Sequence, residues 1–405
     1  MTEQAEFRDR LGAQLCAAIQ FVLTAQSLLM IPMLPAFAER HGQSGGSVAL
    51  ILVVYAVVMG VGTGLMGPLS DRVGRKKMIF AGSAMTGLCL TGHFWAHDFA
   101  TLLVLRALTA VGHSILIGAF TCFVADRFPH KQRVKANGRI QLGYIAGQTA
   151  GVSAGLFLLD RVGPEGVLGL WGLLLLPISL VFGWVVGPER EEDVAPAAVR
   201  LRWRDHVEAW RGLSASFGTV STLTAYALMF VAAHAFLVVF PLWGHDRLEF
   251  NSETLGFVFL AGGIVQALFL VVPGTPRFAK RHGSLIVGSL RWSGFVVMAA
   301  ALWPEAAGVI IGVYLLFSAL LAVRMGPLQV AMSGIAARHH RGTWTGWVQS
   351  SGQAGRAVGA WLGGMSYSFL GVRAVFVIAA GMFIASALLF ARGQALKDTA
   401  LPEVS

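Results

Sequence analysis

Apolar stretches of roughly 18 or more residues recur from one end of the chain to the other. A helix of that length spans a hydrocarbon core of about 30 Å and satisfies its own backbone hydrogen bonds there. Twelve stretches are readable, at 12–38, 47–67, 78–96, 100–125, 138–160, 165–187, 216–243, 253–273, 284–303, 306–332, 343–370 and 373–391. The first is long and carries Gln20 and Gln26, so it is expected to stay as a membrane helix and not to be cleaved as a leader. Composition agrees, with 55% of the 405 residues hydrophobic and 13% charged, where soluble domains carry about a quarter. The expected fold class is an all-α integral membrane protein.

A net charge of +10 could serve nucleic acid, but its distribution points to topology. The 31 Lys and Arg crowd alternate loops, leaving Arg40, Arg161, Arg247 and Arg373 on the opposite side. That asymmetry places both termini in the cytosol of a multi-pass protein of the cell inner membrane. Cys16, Cys89 and Cys122 fall inside the spans without metal-ligand spacing, which predicts packing roles and no metal site. With no nucleophile motif or phosphate loop either, the chain reads as a non-enzyme that needs no cofactor.

The longest polar stretch, GPEREEDVAPAAVRLRWRDHVEAWRG, separates six spans from six. The predicted domains are an N-terminal bundle at 1–187, a cytoplasmic linker at 188–215 and a C-terminal bundle at 216–405. In the linker Val199, Trp203, Val207 and Trp210 recur at helical spacing among arginines. This fits an amphipathic helix on the membrane surface, and equally a solvated connection. At one constant offset Pro32 corresponds to Pro241, Gly74 to Gly283, Gly143 to Gly352 and Gly155 to Gly364. Two pseudo-symmetric six-helix bundles are therefore expected, with a binding site between them.

The loop after the second span, GPLSDRVGRKKM, has a reading of its own. Gly67 permits a close helix approach, Gly74 a left-handed turn, and the cations hold the loop in the cytosol. The segment resembles the signature of the major facilitator superfamily, matching it at Gly67, Leu69, Ser70, Asp71, Arg72, Gly74, Arg75, Lys76 and Lys77. The resemblance implies the twelve-helix fold and a gating role for Gly67, Asp71, Arg72, Gly74 and Arg75. The corresponding second-half loop, PRFAKRHGS, has Lys280 where Asp71 stands, which would make the gate asymmetric.

Arg106 followed by Gly112 is similar to a motif of the family's drug/proton antiporter branch, where the arginine is tied to proton coupling. Gly143, Gly147, Gly151 and Gly155 resemble that branch's GxxxGPxxGG pattern, with Gln148 in place of the proline. Gly355 and Gly359 form a counterpart stripe. Both bare faces are expected to pack where the two halves meet.

Arg324 lies in the middle of YLLFSALLAVRMGPLQVAMSG, about 20 Å from Arg338 at 1.5 Å per residue. Arg356 is similarly deep. An arginine at mid-membrane costs at least about 3 kcal/mol, so water, a counter-ion or a ligand must face it. All 21 Asp and Glu fall outside the helix cores in this reading, so a negatively charged substrate in a wet chamber is the expected complement. The resemblance puts spans 1, 4, 7 and 10 around that chamber. The candidate binding residues are Arg324, Arg356, Arg106, His113, His234, Gln20, Tyr226 and Gln329.

The first reading is a monomeric alternating-access transporter that exports a small organic anion, such as a carboxylate siderophore or acidic metabolite. Its energy would come from the membrane potential or a proton gradient. The second is a multidrug/proton antiporter for neutral or zwitterionic compounds, and the third a proton-coupled importer of an anionic metabolite. Beyond a small molecule and the lipid bilayer, no partner is implied, and nucleic acid least of all.

Overall fold

The computed structural model describes residues 3–116, 119–128, 130–187, 217–270, 272, 282–333 and 341–400. All regular secondary structure among these residues is helical. The first half comprises α1 (Glu3–Leu29), α2 (Leu34–His41), the single turn α3 (Gly45–Val48), α4 (Leu50–Val73), α5 (Arg75–Gly92), α6 (Phe99–Leu116), α7 (Ala119–Arg127), α8 (His130–Ala146) and α9 (Val152–Val185). The second comprises α10 (Phe217–Leu248), α11 (Ser252–Phe269), α12 (His282–Leu302), α13 (Ala307–Ser333), α14 (Arg341–Leu370) and α15 (Val372–Ala400). The linker with its expected surface helix lies outside the described residues.

Nine helical stretches among the described residues are long and apolar enough to cross a membrane. One of them, Gly138–Val185, is 48 residues long, enough for two crossings. It is broken at Gly163, where φ is 73° and ψ 168°, a conformation open essentially to glycine alone. Arg341–Leu370 falls short on composition because it carries Gln349, Gln353 and Arg356 between its glycines. Apolar side chains such as Leu180, Trp184 and Phe369 are turned outward, as expected where lipid replaces water as the surroundings.

Local chemistry sets the helix ends. Gly42, at φ 61°, closes α2 and donates its N–H to the carbonyls of Ala38 and Glu39. The Ser44 hydroxyl accepts from the Ser47 N–H at the start of α3. Asp98 accepts from the Thr101 N–H and hydroxyl at the start of α6, which holds its carboxyl below the usual range. In the signature loop a single residue, Gly74 at φ 96°, separates α4 from α5.

The chain divides into two compact units. Unit 1 holds Met1–Gly42, Val54–Leu201 and Ser252–Leu260, and unit 2 holds Gln43–Val53, Arg202–Asn251 and Ala261–Ser405. In unit 1, α5 packs on α6 and α9, while α1 packs on α8 and α9. Unit 2 is built on α10 against α14 and α15, with α12 between α13 and α15.

The glycine stripes lie inside the units, which corrects the expectation that they mark a boundary between halves. Gly143, Gly147, Gly151 and Gly155 lie against Ala17, Phe21, Ala25 and Leu29 of α1. Gly355 and Gly359, with Gly363 beyond them, lie against Ala227, Val231 and Ala235 of α10. Small residues at four-residue spacing on one helix meet a bare backbone on the other, so the contact closes to van der Waals distance. The first stripe includes a π-helical turn, Gly147–Gly151, at the position where Gln148 stands in place of the motif's proline.

Candidate functional site

In unit 2 the close approach of α14 to α10 brings a cation over an aromatic ring. Gly352 leaves room for the Tyr226 and Phe230 rings, and Gly355 lies against the Ala227 backbone, so α14 contributes no side chain at either point. Arg356, half-buried, places its guanidinium carbon 4.8 Å from the centroid of the Phe230 ring. Tyr226, Phe230 and His234 follow at four-residue intervals along one face of α10. The Tyr226 ring meets Phe230 edge-on at 5.0 Å. His234 donates its Nδ1–H to the Phe230 carbonyl at 3.2 Å, which leaves Nε2 as the ring nitrogen for other partners. Arg356 Nε has no hydrogen-bond partner among the described residues. Chemically this is one flat cation, an aromatic face and a phenol, the elements that hold a ring-bearing carboxylate.

Unit 1 carries a different constellation, a chain of four side chains from three helices. Arg106 on α6 donates from Nη1 to Gln26 Oε1 on α1 at 2.9 Å. Gln26 Nε2 donates to the Tyr55 hydroxyl on α4 at 3.2 Å, and that hydroxyl bonds His113 Nδ1 on α6. Arg106 must donate to Gln26, and Gln26 donates to Tyr55, while the sense of the Tyr55–His113 bond is set by the imidazole tautomer. The Arg106 guanidinium also lies over the Tyr55 ring, 4.3 Å from its centroid. All four side chains are buried.

The sequence flagged Gln26 and Arg106 but passed over Tyr55, which links them to His113. A hydroxyl in the middle of LILVVYAVVMG was the available signal. Tyr55→Phe keeps the ring under Arg106 but leaves a buried Gln26 N–H without its acceptor. Its expected cost is about 1–3 kcal/mol, read as a lower melting midpoint in detergent. An unchanged midpoint would mean that the chain of bonds does not hold these helices.

Gln20 stays apart from that chain and bonds Thr24 one turn along α1. The side chains of Gln329, Asp71 and Arg72 lie outside the described residues. In backbone terms Gly67, Asp71 and Arg72 occupy the last turns of α4, and Arg75 opens α5.

Arg324 departs from expectation. It was expected to face a wet chamber, yet its side chain is fully buried inside unit 2. Nη1 donates to Ser293 Oγ on α12 at 2.8 Å, and the guanidinium carbon lies 5.6 Å from the rings of both Phe317 on α13 and Phe383 on α15. The rotation of α13 turns this side chain toward α12 and α15.

Two carboxylates, Asp9 ahead of the first predicted span and Glu165 at the start of the sixth, are buried, and each has basic partners. Asp9 bonds Arg127 at 3.3 Å, and Arg127 also donates to the Gly187 carbonyl. Glu165 binds Arg40 at 2.9 Å and His41 at 2.8 Å. Among the described residues no carboxylate forms an ion pair with Arg106, Arg324 or Arg356.

A twelve-span pattern, glycine-broken helices and this distribution of charge agree with one further finding: residues 16–337 match the sequence profile of the Major Facilitator Superfamily. The chain belongs to that superfamily. It is thus a multi-pass membrane protein and a secondary transporter, not an enzyme. It is 24% identical to the 4-hydroxybenzoate transporter PcaK of Pseudomonas aeruginosa over 93% of this chain and 91% of that one. It is 22% identical to the quinolone resistance protein NorA of Staphylococcus aureus over 60% of this chain, spanning 61% of that protein. The fold is that of the human organic anion transporter MFSD10, with a TM-score of 0.71, 19% identity, and coverage of 96% of this chain and all of that one.

Proposed function

We propose that this superfamily member moves a small organic anion whose carboxylate binds Arg356 and whose body lies against Phe230 and Tyr226. The observation that carries the reading is a half-buried guanidinium stacked on an aromatic ring, with no carboxylate paired to it among the described residues. Similarity to PcaK, named for 4-hydroxybenzoate, and to MFSD10, named for organic anions, supports the same class. One guanidinium beside one aromatic face suits a monocarboxylate with a ring better than a polycarboxylate siderophore. Arg106 and His113 in unit 1 would serve the same anion along its route.

The loop charges orient both termini to the cytosol, with Asp71 and Arg72 beside Gly74 forming the gate on that side. A membrane negative inside drives a lone anion outward by about 2.3 kcal/mol per charge per 100 mV. Export therefore runs on the potential alone, and uptake would need a proton carried along. The similarity to NorA keeps a second reading in view, export of neutral or zwitterionic drugs.

Proteoliposomes separate the readings. The panel is benzoate-type carboxylates, a fluoroquinolone and tetraphenylphosphonium, each with an imposed potential and then with an imposed pH gradient. Saturable carboxylate flux that follows the potential, with no movement of tetraphenylphosphonium, is the expected result. Movement of the cation alone would sink the proposal.

A further inference from the structure

Two arginines of unit 2 are exposed on membrane-spanning helices, Arg291 on α12 and Arg392 on α15. Neither forms an ion pair among the described residues. The two helices touch at Gly294, where an added Cβ would lie 2.8 Å from Ile384 Cδ1 and 3.1 Å from the Ala380 carbonyl oxygen. On one flank of that seam Ser293 and Phe383 turn inward to Arg324. At about 100° per residue, Arg291 is about 60° round α12 from Gly294, and Arg392 about 80° round α15 from Ile384, each away from its inward-facing neighbour. With α13 and α14 between them in sequence, α12 and α15 run antiparallel, so both rotations lead to the same outer groove. Phe295 and Leu388, exposed by 61% and 51%, line that groove, and a Cβ added at Gly381 would meet nothing within 4 Å.

Depth separates the two cations by less than a headgroup and a side chain can bridge. Arg291 is about 12 Å inside the apolar span that begins at Gly283, whereas Arg392 is next to last in the span that ends at Gly393, at the same face of the membrane. Counted from the Gly294–Ile384 contact, they stand about 4.5 Å and about 12 Å toward that face. Snorkelling carries the Arg291 guanidinium toward Arg392. An arginine facing hydrocarbon is costly, so a lipid-exposed one draws an anion down to it. Neither helix carries Asp or Glu ahead of Asp398, so the groove presents two like charges and no acidic complement of its own. A phosphate attached to acyl chains supplies the missing charge and fills the apolar part as well. We infer that the outer α12–α15 groove binds an anionic phospholipid from the leaflet at that face, the cytosolic one in the orientation proposed above. Its phosphate lies between Arg291 and Arg392, and its chains run past Leu388 and Phe295 toward the space at Gly381.

The purified full-length chain in detergent is titrated with phosphatidylglycerol, or with phosphatidylcholine of the same acyl chains. Phosphatidylglycerol is expected to raise the melting temperature saturably while phosphatidylcholine does not. In a variant carrying both Arg291→Gln and Arg392→Gln the half-saturating concentration should rise roughly 30-fold, as expected for the loss of two cations near an anionic group. Arg373→Gln, which removes an exposed arginine at the opposite end of α15, should respond like the wild type. Native mass spectrometry of the wild type gives a readout independent of any variant, with phosphatidylglycerol retained under activation that strips phosphatidylcholine. Equal responses to the two lipids, an undiminished response in the double variant, or an equal loss in Arg373→Gln would overturn the inference. So would inorganic phosphate that reproduces the rise, since the site would then bind a free anion and not a lipid. None of these readouts measures transport, so failure of the substrate proposal leaves them standing.

Discussion

Replacing Gly359 by leucine is expected to leave little or no folded transporter in the membrane. A Cβ at this position would fall well inside contact distance of the Val231 carbonyl oxygen, with the Val231 Cα 2.9 Å away. The obstacle is backbone, which cannot rotate aside, so α14 and α10 would have to part along a contact that also includes Gly355 and Gly363. Helix association in a bilayer rests on such packing, because lipid is as apolar as the side chains and supplies no hydrophobic drive. Overpacking typically costs about 1–3 kcal/mol, and a clash with main chain belongs at or above the top of that range. Gly381→Ala is the control, since nothing lies within 4 Å of the added methyl. Fluorescence-detected size exclusion and melting of the two variants check the expectation. A Gly359→Leu protein that elutes and melts like the wild type would refute the described contact between α10 and α14.

That stripe also shows what sequence reading could and could not reach. Glycines at four-residue spacing state that a helix has a bare face, and both bare faces were read. Which helix fills the face depends on rotation and tilt, which no single-helix pattern contains. The partners had their own signal in Ala17 and Ala25 on α1 and in Ala227 and Ala235 on α10, small residues repeated at helical intervals.

The buried charges divide in the same way. Hydropathy located Arg106, Arg324 and Arg356 within membrane helices, because a cation in an apolar run is a local property of the sequence. Their surroundings are not local. Arg324 is sealed among Ser293, Phe317 and Phe383, while Arg356 keeps partial exposure beside Phe230, although the two looked equivalent by depth. Glu165 opens the span read at 165–187 and was counted with the acids outside the helix cores. The left-handed turn at Gly163 instead starts a new helix in which this carboxylate is buried against Arg40 and His41. Breaks were legible where glycine is required, as at Gly74, and hydrogen-bond chains between helices were not.

Arg356→Gln is expected to abolish most transport of anionic substrates while leaving the protein folded. Truncating one partner of a charge-assisted contact costs about 2–5 kcal/mol when the pair is desolvated. Partial exposure of Arg356 places the cost near the lower end of that range. At about 1.4 kcal/mol per tenfold, flux at low substrate concentration should fall roughly 30- to 100-fold. Folding should tolerate the change because the α10–α14 contact is made by the glycines and by Ala227 and Val231, and glutamine can still lie across Phe230. Arg356→Lys separates charge from shape. It keeps the cation but loses the planar group above Phe230 and its side-on fork, so partial activity is expected. Initial rates over a range of carboxylate concentrations in proteoliposomes give the measurement. If the half-saturating concentration is unchanged in Arg356→Gln, the guanidinium does not touch the substrate, and the anion must be held elsewhere in the molecule.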